Sequence, residues 1–382
     1  MYVFLKNSVQ MRHWLWIVVL LSSLAATAQP EKKRNIFIIT TDGFRWQEVF
    51  NGADARLLAD PDFVKDTAIM RQLYWDDSAA VRRQKLMPFF WNVIAKQGCL
   101  YGNRQWNNKV NVRNFYKISY PGYSEMLTGF AESRFVANAP IANRNTNVLE
   151  FLNQQKDYQG KVVAFSSWNI LPYILNERAG SFSVNAGYEP LEEAGDTAAA
   201  VNCVQDYITG KGHTRYDMLT WLSMQQYVEQ HHPKVVFLGL GETDECAHRG
   251  RYDLYLQKAA DVDRMIGALW YYVQTDPFYK DNTTFIITTD HGRGKNPGTW
   301  QTHGFWAKGS GEMWLAVIGP DVDPAGEIKE AQQMWQQQIA ATISILLGEQ
   351  FEAEHAVAKP LQLKMGLRKG AYPDQANQSA AQ

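Results

Sequence analysis

Three apolar runs in this sequence each end in an aspartate, at Asp42, Asp244 and Asp290. Short runs rich in β-branched residues are typical of buried parallel strands. An open α/β sheet binds its ligands beyond the carboxyl ends of such strands. Carboxylates gathered at neighbouring strand ends would repel one another and raise one another's pKa. Because divalent metal ions keep such carboxylates ionised, the pattern predicts a metal site at this edge of the sheet.

Three histidines, at positions 248, 291 and 303, accompany these aspartates. A mixed set of Asp and His ligands favours zinc or a similar transition metal over calcium, and manganese or iron would accept the same set. Asp244 and His248 are four residues apart, so one helical turn would place them on the same side. Asp290 and His291 are adjacent at a strand end, where their diverging side chains can reach around one ion.

A candidate nucleophile, Ser119, precedes Pro121 by two residues. Proline favours the first turn of a helix, and the N–H groups at a helix start attract an anion. Such a position favours a deprotonated hydroxyl, and a bound metal would lower its pKa further. Ser124 is the competing candidate, although it should lie inside the helix and be less exposed. The alternative for an isolated Ser-x-Pro is a plain helix cap.

Five short motifs follow one another along the chain. They are Asp42-Gly43, Ser119-x-Pro121 with Thr128-Gly129, Asp244-x-x-x-His248, Asp290-His291-Gly292 and His303-Gly304. In this order they resemble the alkaline phosphatase superfamily, and within it the nucleotide pyrophosphatase/phosphodiesterase and phosphonoacetate hydrolase branches. The phosphodiesterase branch usually has Asn-His after the proline, whereas this sequence has Gly122 and Tyr123.

The resemblance implies an α/β hydrolase of phosphoric esters that binds two divalent metal ions. One ion would be held by Asp244, His248 and His303. The other would be held by Asp42, Ser119, Asp290 and His291. Ser119 would attack phosphorus and form a phosphoseryl intermediate. The two ions would offset most of the phosphoryl charge, and backbone N–H groups near residues 119–123 would offset a smaller share. Phosphodiester or nucleotide-like substrates are slightly favoured over monoesters, and phosphonates are another substrate of this class.

The resemblance also implies a substrate-binding asparagine some twenty residues after the nucleophile. Asn138 is the nearest match, with Asn143 as its rival, and it would donate a hydrogen bond to a phosphoryl oxygen. Arg293 and Lys295 follow the Asp-His pair and are predicted to be solvated loop charges, with a phosphate contact as the alternative.

Two other functions fit parts of the sequence. A sulfatase-like hydrolase would need an arginine where this chain has Tyr123. A non-catalytic, glycan-binding relative would use the many aromatic residues, which include 13 tryptophans. A degenerate relative should have lost metal ligands, and this sequence keeps the full set.

The composition of the chain limits the classes of binding partner that are expected. The chain has 382 residues and a formal net charge of −1, without a basic stripe, which argues against nucleic acid as the main partner. The expected partner is a small-molecule phosphate ester; the oligomeric state is not predictable. Cys99, Cys203 and Cys246 match no metal-site spacing and no disulfide framework.

The first 28 residues have the composition of a secretory signal, with basic residues, a short apolar stretch and an Ala-x-Ala end at Ala28. We therefore predict an exported protein, periplasmic or secreted, without a membrane span after signal removal. An uncleaved N-terminal anchor is the alternative. Residues 29–367 would form the catalytic domain, and 368–382 a disordered polar tail.

Strand and helix patterns alternate along the sequence, and the elements that they predict would position the candidate site residues. They predict an α/β fold with a mostly parallel central sheet flanked by helices, an alkaline phosphatase-like sandwich with an inserted cap region. The predicted strands cover 35–41, 108–118, 161–166, 234–240, 284–289 and 313–318. Segment 43–86 is predicted to be irregular, 177–197 to be a loop, and 328–347 to be a helix.

Overall fold

A computed structural model of the chain describes residues 34–365, apart from 135, 178–181 and 193–194. Its strands are β1 (Asn35–Thr41), β2 (Gly98–Tyr101), β3 (Asn108–Asn111), β4 (Val162–Ser166), β5 (Ser183–Ala186), β6 (Val235–Leu240), β7 (Thr283–Thr288), β8 (Glu312–Met313), β9 (Leu315–Ile318), β10 (Gly326–Glu327) and β11 (Gln332–Trp335). Eight of them form one sheet, in the order β10-β2-β9-β7-β1-β6-β4-β5, and β11-β3-β8 form a second sheet. Within the large sheet only β9 runs antiparallel to its neighbours.

Helices connect and cover these strands. They are α1 (Trp46–Asn51), α2 (Ala55–Leu58), α3 (Thr67–Tyr74), α4 (Ala79–Leu86), α5 (Ala95–Gln97), α6 (Ser119–Thr128), α7 (Val148–Gln154), α8 (Leu171–Ile174), α9 (Asp196–Tyr207), α10 (Asp217–His231), α11 (Glu242–His248), α12 (Tyr252–Thr275) and α13 (Gln338–Leu346). A π-helix at Phe90–Ile94 leads into α5, and a 3₁₀ turn spans Arg104–Trp106. In the part of the chain that the structure describes, no helix combines the length and apolarity that a membrane span requires.

Strand β1 lies at the centre of the large sheet, and its apolar residues, 36–39, are buried on both faces. It pairs in parallel with β6 on one side and β7 on the other. Phe37 and Ile39 pack into one hydrophobic core, whereas Ile36 and Ile38 pack into a second core on the opposite face. Because both faces of the sheet are covered, polar and apolar residues do not alternate along the strand. The predicted α/β fold with a mostly parallel sheet is confirmed.

The prediction that residues 43–86 are irregular was wrong. This segment contains helices α1 to α4. Asp54 accepts hydrogen bonds from the backbone N–H groups of Arg56 and Leu57, and Asp66 accepts one from Ile69. These aspartates are helix N-caps, a signal that the many charged and aromatic residues of the segment obscured.

Three other element predictions need correction. The predicted helix 328–347 is a strand, Gln332–Trp335, followed by helix α13, because Gln332–Trp335 pairs with β3 and this pairing overrides its helix propensity. The predicted strand 108–118 ends at Asn111. The predicted loop 177–197 contains β5, which pairs with β4 at the sheet edge.

The predicted signal (1–28) and polar tail (368–382) lie outside the described residues. The domain boundaries at 29 and 367 therefore stay predictions.

Candidate metal centre and nucleophile

The carboxyl ends of three adjacent strands bring the predicted aspartates together. The strands are β7, β1 and β6, side by side in the sheet. Asp42 directly follows β1, and its N–H donates to the carbonyl of Leu240 at the end of β6, at 2.9 Å. Asp290 follows β7, and Asp244 lies in α11, just after β6. The arrangement is the one that parallel strand ends predict.

A fully buried group consists of Asp42, Asp290 and His291. The Nε2 atom of His291 lies 3.5 Å from Oδ1 of Asp42 and 3.4 Å from Oδ2 of Asp290. Both of these carboxylate oxygens are buried and receive no hydrogen bond from the described residues. Buried polar atoms without partners are costly, so the pair needs a group that the polypeptide does not supply.

The ring of His291 is oriented so that one nitrogen faces this group. Its Nδ1 lies 2.9 Å from the carbonyl oxygen of Gly292. A carbonyl only accepts, so Nδ1 carries the proton and donates it. The lone pair of Nε2 is therefore directed at Asp42, Asp290 and the Oγ of Ser119, as in a metal-binding histidine held by an outer hydrogen bond.

A second, more exposed group consists of Asp244, His248 and His303. Asp244 and His248 lie one turn apart on α11, with Oδ2 and Nε2 separated by 3.1 Å. The Nε2 atoms of His248 and His303 are 2.9 Å apart. The two groups adjoin, because the rings of His291 and His303 stack with their centroids 4.0 Å apart.

The electrostatics of the two groups fit divalent cations. Burial, and then the charges of Asp290 and Asp244, raise the pKa of Asp42 well above its ordinary value. Burial, followed by the charge of Asp244, raises the pKa of Asp290 to about 8. Burial lowers the pKa of His291, and it lowers that of His303 to about 4, so both rings are neutral at physiological pH. Neutral imidazoles and crowded carboxylates without partners are the donor set of zinc and related transition metals.

Arg293 is part of the centre, and its prediction as a solvated loop charge was wrong. Its side chain is fully buried and forms an ion pair with Asp244. It also donates to the carbonyls of Trp300 and Gln301. Although burial alone would raise the pKa of Asp244, Arg293 and the two histidines hold it well below its ordinary range. Lys295 is half-exposed and pairs with Glu312.

Ser119 is the first residue of α6, a helix whose ten residues are all buried. Its Oγ lies 3.2 Å from Nε2 of His291. The helix also approaches the strand end closely, since a Cβ atom at Gly122 would lie 2.6 Å from the carbonyl oxygen of Asp290. This contact explains a glycine where the phosphodiesterase branch usually has asparagine. Ser124 lies five residues further along the helix and accepts from Asn143 at 2.9 Å.

The backbone N–H groups near residues 119–123 can offset less phosphoryl charge than expected, because two of them already have hydrogen-bond partners. The N–H of Tyr120 donates to Oδ1 of Asn138 at 2.9 Å, and that of Gly122 donates to the carbonyl of Ile118. Pro121 has no N–H. A phosphoryl group at Ser119 would therefore depend on other sources of positive charge.

Asn138 lies at the start of α6, where it caps the N–H of Tyr120. A phosphoryl contact from Asn138 would have to use its amide nitrogen, and this role stays a prediction. The rival Asn143 donates to Ser124 and to the carbonyl of Ile174, so its amide group serves the fold.

Tyr123 occupies the position at which sulfatases have an arginine. Its hydroxyl lies 3.4 Å from Oδ2 of Asp42 and 3.4 Å from Oγ1 of Thr40. Burial, and then the charges of Asp42 and Asp290, raise its pKa well above the ordinary value, so it remains a neutral donor. A neutral phenol does not replace a guanidinium at a sulfate site.

The Gly43→Ala substitution should disrupt the centre. Gly43 has a φ of +58°, and a Cβ atom there would lie 2.7 Å from Oδ1 of Asp244 and 2.8 Å from Nη1 of Arg293. We expect kcat/KM for phosphate esters to fall at least about tenfold, because a small displacement of catalytic groups is costly. Metal content should fall as well, as measured by elemental analysis.

Gly160→Ala is the matched control for that substitution. Gly160 has a φ of +67° and nothing within 4 Å of the added Cβ. Both variants incur the left-handed backbone penalty of about 1 kcal/mol, and only Gly43→Ala crowds Asp244 and Arg293. Equal activity of the two variants would contradict the described packing around Asp244.

The fold and the site define a class of protein, the alkaline phosphatase superfamily, which consists of metal-dependent enzymes. Residues 75–337 match the family described as type I phosphodiesterase / nucleotide pyrophosphatase, and the chain belongs to that family. It is therefore a phosphoester hydrolase. Among curated protein sequences, none matches this chain.

Solved structures of low sequence identity share the fold. Wild-type alkaline phosphatase PafA is similar with a TM-score of 0.57 and 11% identity, over 89% of this chain and 100% of PafA. The lipoteichoic acid synthase LtaP from Listeria monocytogenes gives 0.56 and 11%, over 92% and 81%. An inactive form of murine ectonucleotide pyrophosphatase / phosphodiesterase 5, in complex with AMP, gives 0.54 and 14%, over 85% and 98%.

Proposed function

We propose that this chain is an exported phosphodiesterase that binds two metal ions and acts through Ser119. The observation that carries the proposal is the Oγ of Ser119, 3.2 Å from the Nε2 of His291. That nitrogen adjoins two buried carboxylate oxygens without hydrogen-bond partners. A nucleophile, an oriented imidazole and unneutralised carboxylates converge at one point, where a serine hydroxyl can be deprotonated.

The residues divide into two ligand sets. Asp244, His248 and His303 would hold one ion, and Asp42, Ser119, Asp290 and His291 the other. Zinc fits both sets, and manganese or iron would also be accepted. When bound, the ions supply positive charge that lowers the pKa of the serine hydroxyl and offsets the charge of the phosphoryl group.

Ser119 performs the bond exchange. Its Oγ attacks phosphorus in line, so that an Oγ–P bond forms while the ester P–O bond on the opposite side breaks. The Ser119 hydroxyl loses its proton in this step and the departing oxygen gains one, so the group leaves as an alcohol and the number of protons is unchanged. Water then attacks the phosphoseryl intermediate, restores the Ser119 hydroxyl and releases the phosphate product. Two inversions give overall retention of configuration at phosphorus.

The charges around the site favour a diester monoanion over a monoester dianion. A dianion needs additional cationic groups. The two buried arginines that follow the ligand motifs already have partners: Arg293 pairs with Asp244, and Arg45 pairs with Glu48. The family's nucleotide pyrophosphatase activity also supports a nucleotide-like diester.

Export is part of the proposal and is supported by the sequence alone. Residues 1–28 carry the basic, apolar and Ala-x-Ala segments of a secretory signal. The mature enzyme would act outside the cytoplasm.

The test is hydrolysis of bis-p-nitrophenyl phosphate, p-nitrophenyl phosphate and p-nitrophenyl sulfate by the metal-loaded and the EDTA-stripped protein. We expect metal-dependent turnover with the diester fastest and no turnover of the sulfate. A faster monoester would replace the diester assignment with a phosphatase. Hydrolysis of the sulfate alone would overturn the proposed function. A protein that hydrolyses none of the three substrates and binds fewer than two metal equivalents would overturn it as well.

A further inference from the structure

An aromatic cleft adjoins the metal centre. It has a volume of about 350 Å³ and is lined by Phe115, Tyr116, Ile118, His303, Phe305 and Trp306. Three of these rings are unusually open to solvent, since Phe115 is 61% exposed, Phe305 44% and Trp306 86%. Exposed apolar groups gathered beside a polar site mark a place where a ligand binds.

The rings form a preassembled surface. The centroids of Phe115 and Phe305 are 5.0 Å apart, and those of Phe305 and Trp306 are 4.5 Å apart. The loop that carries Phe115 is fixed to α6, because the side chain of Asn114 donates to Glu125 at 2.8 Å. Within the loop, Asn114 accepts from the N–H of Lys117 at 2.9 Å. A binding surface that is ordered before the ligand arrives loses less entropy on binding.

Two residues connect this cleft with the reaction site. Ile118 directly precedes Ser119, and His303 belongs to both the cleft and the exposed ligand group. In-line attack by Ser119 directs the departing oxygen away from Ser119. His303 stacks on His291, whose Nε2 faces the Oγ of Ser119, so the cleft begins one ring away from the nucleophile.

We propose that this cleft binds the leaving group of the substrate and selects aromatic or otherwise flat apolar alcohols. The inference rests on the proposed phosphodiesterase function. Apart from His303, the cleft is lined by aromatic and aliphatic side chains, so the group that fits is uncharged, and a phosphate chain is disfavoured. Ring faces at these separations stack on a flat group more favourably than on a small alkyl group.

The kinetic test uses two diesters with the same methyl group and different leaving groups, p-nitrophenol and trifluoroethanol, the latter followed by ¹⁹F NMR. For each substrate the ratio of variant to wild type cancels the intrinsic reactivity of the leaving group. We expect the F305A/W306A double variant to lose about tenfold in kcat/KM for the aryl ester, mainly through KM, and less than about twofold for the trifluoroethyl ester. Tyr271→Ala, which removes another exposed ring (72%), is the control and should change neither.

A binding test separates this inference from the proposed function. In the metal-loaded S119A protein, methyl phenyl phosphate should bind about tenfold more tightly than dimethyl phosphate, and F305A/W306A should remove the difference, as measured by calorimetry. Equal affinities, or an equal loss of kcat/KM for both diesters, would overturn the cleft assignment while phosphodiester hydrolysis stands. If wild type hydrolyses neither diester and S119A binds neither phosphate, both proposals fail together.

Discussion

Ser119→Ala should reduce kcat for phosphodiesters by at least about a thousandfold, because the variant lacks the atom that bonds to phosphorus. The other six proposed ligands remain, so both metal equivalents should be retained, as determined by elemental analysis. The substituted side chain is small and lies at the first position of α6. Folding should therefore be preserved, which thermal unfolding would check.

Ser124→Ala is the matched control on the same helix. It removes a hydrogen bond from Asn143 and should cost about 1 kcal/mol of stability. Its kcat should stay within about twofold of wild type, because its Oγ bonds to Asn143, a residue outside both ligand groups. The reverse pattern, with Ser124→Ala inactive and Ser119→Ala active, would make Ser124 the nucleophile and contradict the account.

Asp290→Asn should abolish metal binding at the buried group and lower activity at least about a thousandfold. The asparagine Oδ1 can still accept from the N–H of Gly43, as the aspartate does at 3.1 Å. The backbone around the site should therefore keep its conformation. We expect the variant to bind one metal equivalent fewer than wild type.

The same variant should be more stable than wild type when both are free of metal. Burial and the charge of Asp244 raise the pKa of Asp290 to about 8 in the folded protein, against roughly 4 in an unfolded chain. Between these pH values the folded wild type holds a proton that the unfolded chain has lost, so its stability falls as pH rises. Asparagine has no such loss, so the difference in Tm between variant and wild type should grow from pH 4 to pH 8. A constant difference would contradict the crowding of Asp42 and Asp290.

Asp263→Asn is the control for a buried carboxylate outside the site. Asp263 accepts from the N–H groups of Phe89 and Phe90, and burial raises its pKa to about 6. Its substitution should lower stability, because an amide accepts fewer hydrogen bonds, and leave metal content unchanged.

Much of the candidate site was predictable because each proposed ligand is tied to a local pattern. Asp42 and Asp290 end apolar strands, and strand ends converge wherever a parallel sheet forms. Asp244 and His248 needed only the helical repeat. The alternation of strands and helices was sufficient for the fold class.

Other features depend on tertiary contacts that no local pattern encodes. The sequence predicts that Arg293 is a solvated side chain in a loop, and only the folded chain places it against Asp244. The cleft combines Phe115 with Phe305 and Trp306, which are far apart in sequence and have no shared periodicity. The strand Gln332–Trp335 has the composition of a helix and is extended because it pairs with β3. Phe305 and Trp306 directly follow the His303-Gly304 motif in the sequence, and this adjacency was the one available signal for the cleft.

The most direct test of the account is capture of the covalent intermediate. Metal-loaded protein would be mixed with bis-p-nitrophenyl phosphate, quenched in acid during turnover and digested with trypsin. Fragmentation of the peptide that covers residues 118–134 should then locate a phosphoester on Ser119, and the EDTA-stripped protein should lack it. A phosphoester on another residue, or steady turnover without any covalent adduct, would contradict a serine nucleophile at this centre.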